Sequence, residues 1–260
     1  MSLLKYSGAN VYDSLLAPWL ERNGAEIQWL SEFRDRTNDN WPAATGEDLC
    51  RLYGMFRCTS LLLLSFQTAR AGGTDYRGPS ISLDDFQFFH QQLGFTVHRQ
   101  HEFHPFFHEI VGVQRVACNS TPIQLANISW PCLMLGSLLY CRAGCSVSGG
   151  EDYVVKELAE TSILHWTFRR KDRRCTDQSV GWGSNSQWRT AFRRDYLAAG
   201  SYHYNIDGAT KIRECDTLVC DLRSEVMIEL IRNRCFIKTR LDDGDLYPYS
   251  CSYAEIQRAD

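Results

Sequence analysis

At 260 residues, with 44% hydrophobic and 23% charged side chains, the chain has the size and composition of one large globular domain or two small ones, which excludes disorder, collagen and coiled coil. The net charge of −3 and the lack of a nucleic-acid motif argue against nucleic acid as a partner. The first residues hold no signal-like apolar run, and the most apolar stretch, residues 61–64, is far short of the ~20 residues of a membrane span, so a cytoplasmic protein with no membrane partner is expected.

Helices dominate the first third. Asn10 caps a helix in which Val11, Leu15, Trp19 and Leu20 share a face; Pro18 must kink it or begin a new turn, and Gly24 stops it. Residues 25–36 form a second helix with Ile27, Leu30 and Phe33 at helical spacing, and a polar loop follows over 37–44. Thr45 and Asp48 resemble a capping box for a long helix reaching about residue 69, with Leu49, Leu52, Phe56 and Leu63 as its apolar stripe. Ser82 and Asp85 repeat that pattern, predicting a helix over 83–93 with Phe86, Phe89 and Leu93 inward and Gly94 as its stop.

After Gly94 the pattern changes to short runs of β-branched and aromatic residues. Residues 106–116 read as a buried strand. Residues 133–147 and 153–158 flank Ser148-Gly149-Gly150 as a hairpin, and 162–170 alternates as a half-buried strand. Over 188–200, Trp188, Phe192 and Tyr196 fit either a helix or one face of a strand; the strand is preferred, with a turn at 198–200, a strand over 202–206 and a turn at Asn205-Ile-Asp-Gly. A helix over 222–233, a strand over 235–240, a turn at Asp242-Asp-Gly-Asp and a short strand complete the chain. The predicted fold is a single α+β domain in which a helical N-terminal layer (1–95) packs on a mainly antiparallel β-sheet (96–260) that also carries the helix near 222–233.

Candidate chemistry centres on residues 179–208. Between His165 and Tyr196 eight basic residues stand against three acids, a local charge of +5, and guanidinium groups grip phosphate or carboxylate with paired hydrogen bonds. Within this stretch Arg189 and Arg193 are the predicted anion clamp, Asn185 and Gln187 the orienting amides, Trp182 and Trp188 the stacking surfaces, and His203 the candidate proton donor. The expected partner is a small anionic ligand. A protein partner docking on the same Trp/Tyr/Arg-rich stretch, as an inhibitor or adaptor does, is the alternative. A third reading is a metal-dependent enzyme built on the cluster His98, His101, His104, His108 and Glu109, with His104, His108 and Glu109 as ligands; Pro105 and the strand-forming valines downstream oppose it. No motif fixes a reaction or a cofactor: there is neither a P-loop nor a dinucleotide fingerprint. The eleven cysteines include no C-x-x-C pair, so they are expected as reduced thiols filling the core.

Overall fold

The structure, a computed structural model, describes residues 3, 6, 8–36, 41–67, 79–162, 174–175, 192–213, 223–234, 236–239 and 250–257. Asn10 caps the first helical segment, its Oδ1 accepting from Asp13 N at 3.1 Å. That segment begins as a π-helical turn, Tyr12–Leu16, and continues as α1, Ala17–Arg22. Pro18 explains the change of winding, because it has no N–H to donate to the preceding turn. Gly24 opens α2, Gly24–Asp35, rather than closing the helix before it. The Thr45 capping box forms in both halves and starts α3, Gly46–Leu62, which tightens into a 3₁₀ turn over Leu63–Phe66. Ser82 caps α4, Leu83–Gln92. Residues 46–66 are long and apolar enough to cross a membrane by composition, a wider window than 61–64; in this fold Leu52, Phe56, Leu62 and Leu63 of that stretch are buried in the protein's own core.

The strands are β1 (Thr96–His98), β2 (His108–Arg115), β3 (Gln124–Trp130), β4 (Cys132–Leu135), β5 (Leu138–Cys141) and β6 (Ala143–Gly149). After the short α5 (Lys156–Ala159) come β7 (Thr161–Ser162), β8 (Arg174–Cys175), β9 (Asp195–Ala198), β10 (Ser201–Tyr204), β11 (Thr210–Lys211), helix α6 (Ser224–Asn233) and β12 (Cys251–Ile256). Seven strands form one sheet in the order β1-β4-β5-β9-β10-β12-β11; β2-β6-β3 form a second, and β7 pairs with β8. Most pairs are antiparallel, while β2 with β6, β11 with β12 and β7 with β8 run parallel. The α+β architecture with helices ahead of the sheets is thus as predicted.

Two local expectations fail. Residues 148–150 do not turn a hairpin: Gly149 ends β6, which pairs with β2 and β3, and Gly150 leads into a turn and α5. Residues 236–239 are not a strand, because the N–H groups of Ile237, Lys238 and Thr239 wrap around the Glu229 carboxylate instead of joining a sheet. Of the predicted strand over 162–170 only Ser162 is described, as the end of β7; the rest of it and the turn at 242–245 lie outside the described residues. By contrast the β9–β10 hairpin sits where the sequence places it, closed by Ala199 (φ 49) and Gly200 (φ 68); two left-handed residues are what a type I′ turn requires.

Strand alternation sorts the side chains of the large sheet onto two faces. Leu133, Leu135, Leu138, Tyr140 and Tyr196 pack with Leu30, Phe33, Leu52, Phe56 and Phe86 of the helical layer. Cys132, Met134, Leu139, Tyr202, Tyr204 and Tyr253 face the other way, against Phe106, Phe107 and the α6 residues Met227 and Ile231. The second sheet closes its own core with Val154, Ala159, Val226, Leu230 and Phe236. Cys132, Cys141, Cys145 and Cys251 are reduced thiols buried in the core as expected, whereas the reduced thiols of Cys50, Cys58 and Cys118 are exposed.

Candidate functional site

The polar centre of the molecule lies on the α6 face of the large sheet. Asp195, the first residue of β9, is fully buried, and its carboxylate is met from three directions. Arg193 Nε lies 2.8 Å from Oδ1, while Arg142 Nη2 and Arg234 Nη2 approach Oδ2 at 3.4 and 3.3 Å. The backbone N–H of Asn205, at the end of the hairpin, donates to Oδ1 at 2.7 Å. Arg193 also donates to the Ile231 carbonyl at 2.7 Å, a group at the negative end of α6. Burial alone would push the Asp195 carboxyl up; the guanidiniums of Arg193, Arg234 and Arg142 overturn that and hold it at about 2.

Arg142 is the least accommodated of these groups. It follows β5 in an otherwise apolar run, is 1% exposed, and its Nε and Nη1 make no hydrogen bond among the described residues. Buried polar groups are nearly always paired, and an unpaired guanidinium edge costs several kcal/mol unless something answers it. Around it stand Tyr204, whose hydroxyl donates to Glu255 Oε1 at 2.6 Å, and Arg232, whose Nε is 2.9 Å from Glu255 Oε2. Burial and Glu255 push the Tyr204 phenol well up. Side-chain exposure grows outward, from 1% at Arg142 through 14% at Arg234 and 16% at Arg193 to 34% at Arg232. The guanidiniums therefore range from the enclosed Arg142 to the part-exposed Arg232.

His104 borders this cluster. Its Nε2 is 4.0 Å from Glu255 Oε1 and its ring lies 4.2 Å from that of Tyr202. Burial, then the fields of Arg232 and Arg142, push its pKa down to about 4, so it is neutral at pH 7. His104 and His108 are joined by a single helical turn, with His108 N–H donating to His104 O at 2.9 Å. The turn forms despite Pro105 because Pro105 occupies its first position, where no donor is needed. It does not assemble a metal site with Glu109. His108 Nδ1 is turned to the His104 backbone, 3.0 Å from N, and His108 and Glu109 are consecutive on β2 and so point to opposite faces. Among the described residues no three His, Cys, Asp or Glu side chains gather as a metal needs.

Trp182, Asn185, Gln187, Trp188 and Arg189 lie outside the described residues. Of the predicted set, Arg193 belongs to the buried cluster and His203 does not. His203 pairs with Tyr196 across the hairpin, which puts it on the helical-layer face, where its ring meets Trp41 edge-on at 5.2 Å. Asp195, one residue before Tyr196, faces the opposite side. Arg194 also turns away from Arg193, binding Asp207 at 2.6 and 2.8 Å and the Pro42 carbonyl at 2.7 Å. Arg193 and His203 are thus separated by the sheet, because the side-chain period of two sends Asp195, which holds Arg193, and His203 to different faces. Arg142 and Arg234 were missed as site residues. The signal was an arginine standing in the apolar run 132–147, since arginine is rarely buried without a purpose-built partner. No protein family, curated protein or solved structure matches this chain.

Proposed function

We propose that the protein binds a small phosphate- or carboxylate-bearing molecule at the cluster of Arg142, Arg193, Arg234 and Arg232. The observation that carries this reading is Arg142: fully buried, charged, and with two nitrogens that meet no acceptor among the described residues. An anionic oxygen supplies what those nitrogens lack, and in a site shielded from water such charge-assisted bonds are strong. Asp195 then acts as the positioning group that holds three guanidiniums at fixed angles. His104, rather than His203, borders the cluster; burial and the fields of Arg232 and Arg142 keep it neutral at pH 7, so towards a bound ligand it acts as a hydrogen-bonding group or proton acceptor, not as a proton donor.

The test uses inorganic phosphate as probe. A ligand that binds only the folded state stabilises it by about 2.7 kcal/mol at a hundred times its dissociation constant. Urea denaturation at matched ionic strength, in phosphate and in chloride, is expected to show such a gain for the parent and none for Arg142→Met. Equal stability of the parent in the two salts would refute the proposal.

A further inference from the structure

Away from the Arg142 cluster, a cavity of about 280 Å³ opens among the N-terminal helices and reaches the sheet at Tyr140. Its walls are apolar: Leu15 and Trp19 from the first helical segment, Met55 from α3, and Phe89 and Leu93 at the end of α4. Apolar cavities of about 150 Å³ already take up a molecule the size of benzene, so this one has room for a substituted ring or a medium-length acyl chain.

The two polar ends of the cavity differ in kind. At its floor Tyr140 Oη is 2.8 Å from Thr59 Oγ1, which is 3.0 Å from His90 Nε2, and His90 Nδ1 is 2.8 Å from the Phe86 carbonyl. A carbonyl only accepts, so Nδ1 carries the hydrogen. His90 is fully buried and neutral, so its Nε2 accepts from Thr59, and Thr59 in turn accepts from Tyr140. The protons of Tyr140, Thr59 and His90 are thus committed along this chain, which among the described residues offers no free hydroxyl or ring donor to an anion. At the rim stands Arg22, in the last turn of α1. Its Nε donates to the Pro18 carbonyl at 2.9 Å, and no ion pair holds its terminal nitrogens among the described residues.

We propose that this cavity binds a monocarboxylate with an apolar tail, tail inward against Met55 and Phe89 and carboxylate outward on Arg22. The order follows from the floor, which rejects an anion, and from the rim, which offers the cation. This site is independent of the Arg142 cluster, from which it is separated by the sheet.

The probes are hexanoate, octanoate and octanol, followed on protein labelled with [methyl-¹³C]methionine. Octanoate is expected to shift the Met55 methyl and leave Met134 and Met227, which lie on the other face, unmoved. Each added methylene should tighten binding roughly fourfold until the cavity is full. Arg22→Gln should weaken octanoate up to about fivefold and leave octanol unchanged, and Leu15→Trp, which fills the same cavity and keeps the Met55 reporter, should block both. Arg142→Met should leave the Met55 response intact, which separates this site from the anion cluster. An unmoved Met55 methyl in the parent protein, or equal octanoate affinity in Arg22→Gln, overturns the proposal.

Discussion

Replacing Asp195 with Asn tests whether one carboxylate holds the cluster together. The substitution keeps an acceptor for Asn205 N–H, now 2.7 Å from Oδ1, but removes the negative charge that Arg142, Arg193 and Arg234 share. Breaking a buried pair by neutralising one partner costs about 3–5 kcal/mol. The retained hydrogen bond and the long 3.3–3.4 Å contacts of Arg234 and Arg142 place Asp195→Asn at the lower end, about 3 kcal/mol. For a domain of this size that is roughly 6 °C in melting temperature. Urea denaturation followed by far-ultraviolet circular dichroism at pH 7 in chloride measures it. The double variant Asp195→Asn with Arg142→Met should recover at least about 1 kcal/mol, because one stranded cation is gone. A loss below about 1 kcal/mol for Asp195→Asn, or strict additivity in the double variant, would refute the reasoning.

Acid should weaken the fold in two stages. Burial pushes His90 down to about 4, and burial with Arg232 and Arg142 does the same to His104; an unfolded histidine titrates near 6.5. Their contribution is therefore complete above about pH 6.5 and lost as pH falls toward 4, about 3 kcal/mol for His90. Stability measured from pH 7 to 4.5 should fall, less steeply in His90→Gln, and a flat profile would contradict the assignment. Asp195, held near 2, loses its contribution only between about pH 4 and 2. Asp48 accepts from Trp29, Arg36 and both groups of Thr45, so Asp48→Ala should cost about 2–4 kcal/mol in urea denaturation; a cost under 1 would show that the cap is not coupled to the core. Ala199→Asn should add about 0.5–1 kcal/mol, because Asn accepts the left-handed first position of the β9–β10 turn better than Ala. A melting temperature at or below the parent's would contradict this.

How much of this was legible in the sequence depended on how local each signal was. Thr45 with Asp48 and Ser82 with Asp85 were readable because a cap and its partner lie three residues apart. The β9–β10 hairpin was readable because Gly200 marks its turn. Gly149 and Gly150 misled, since glycine there answers packing rather than turning: a Cβ on Gly150 would sit 2.0 Å from the Asn119 carbonyl oxygen. The strand expected over 235–240 failed for a related reason, its amides being taken by Glu229 on α6. At the site, the run of basic residues pointed to Arg193, but not to the partners that three other segments bring to Asp195. The separation of Arg193 from His203 was implicit in strand alternation, yet it needed the register of β9 on β10 to become visible.

The most direct measurement of the central claim is calorimetric titration of inorganic phosphate into the parent protein and into Arg142→Met, both shown folded by circular dichroism. Saturable binding at a single site in the parent, lost in Arg142→Met and retained in His203→Gln, is the predicted result. Binding of equal strength in Arg142→Met, or no binding to the parent, would contradict the account.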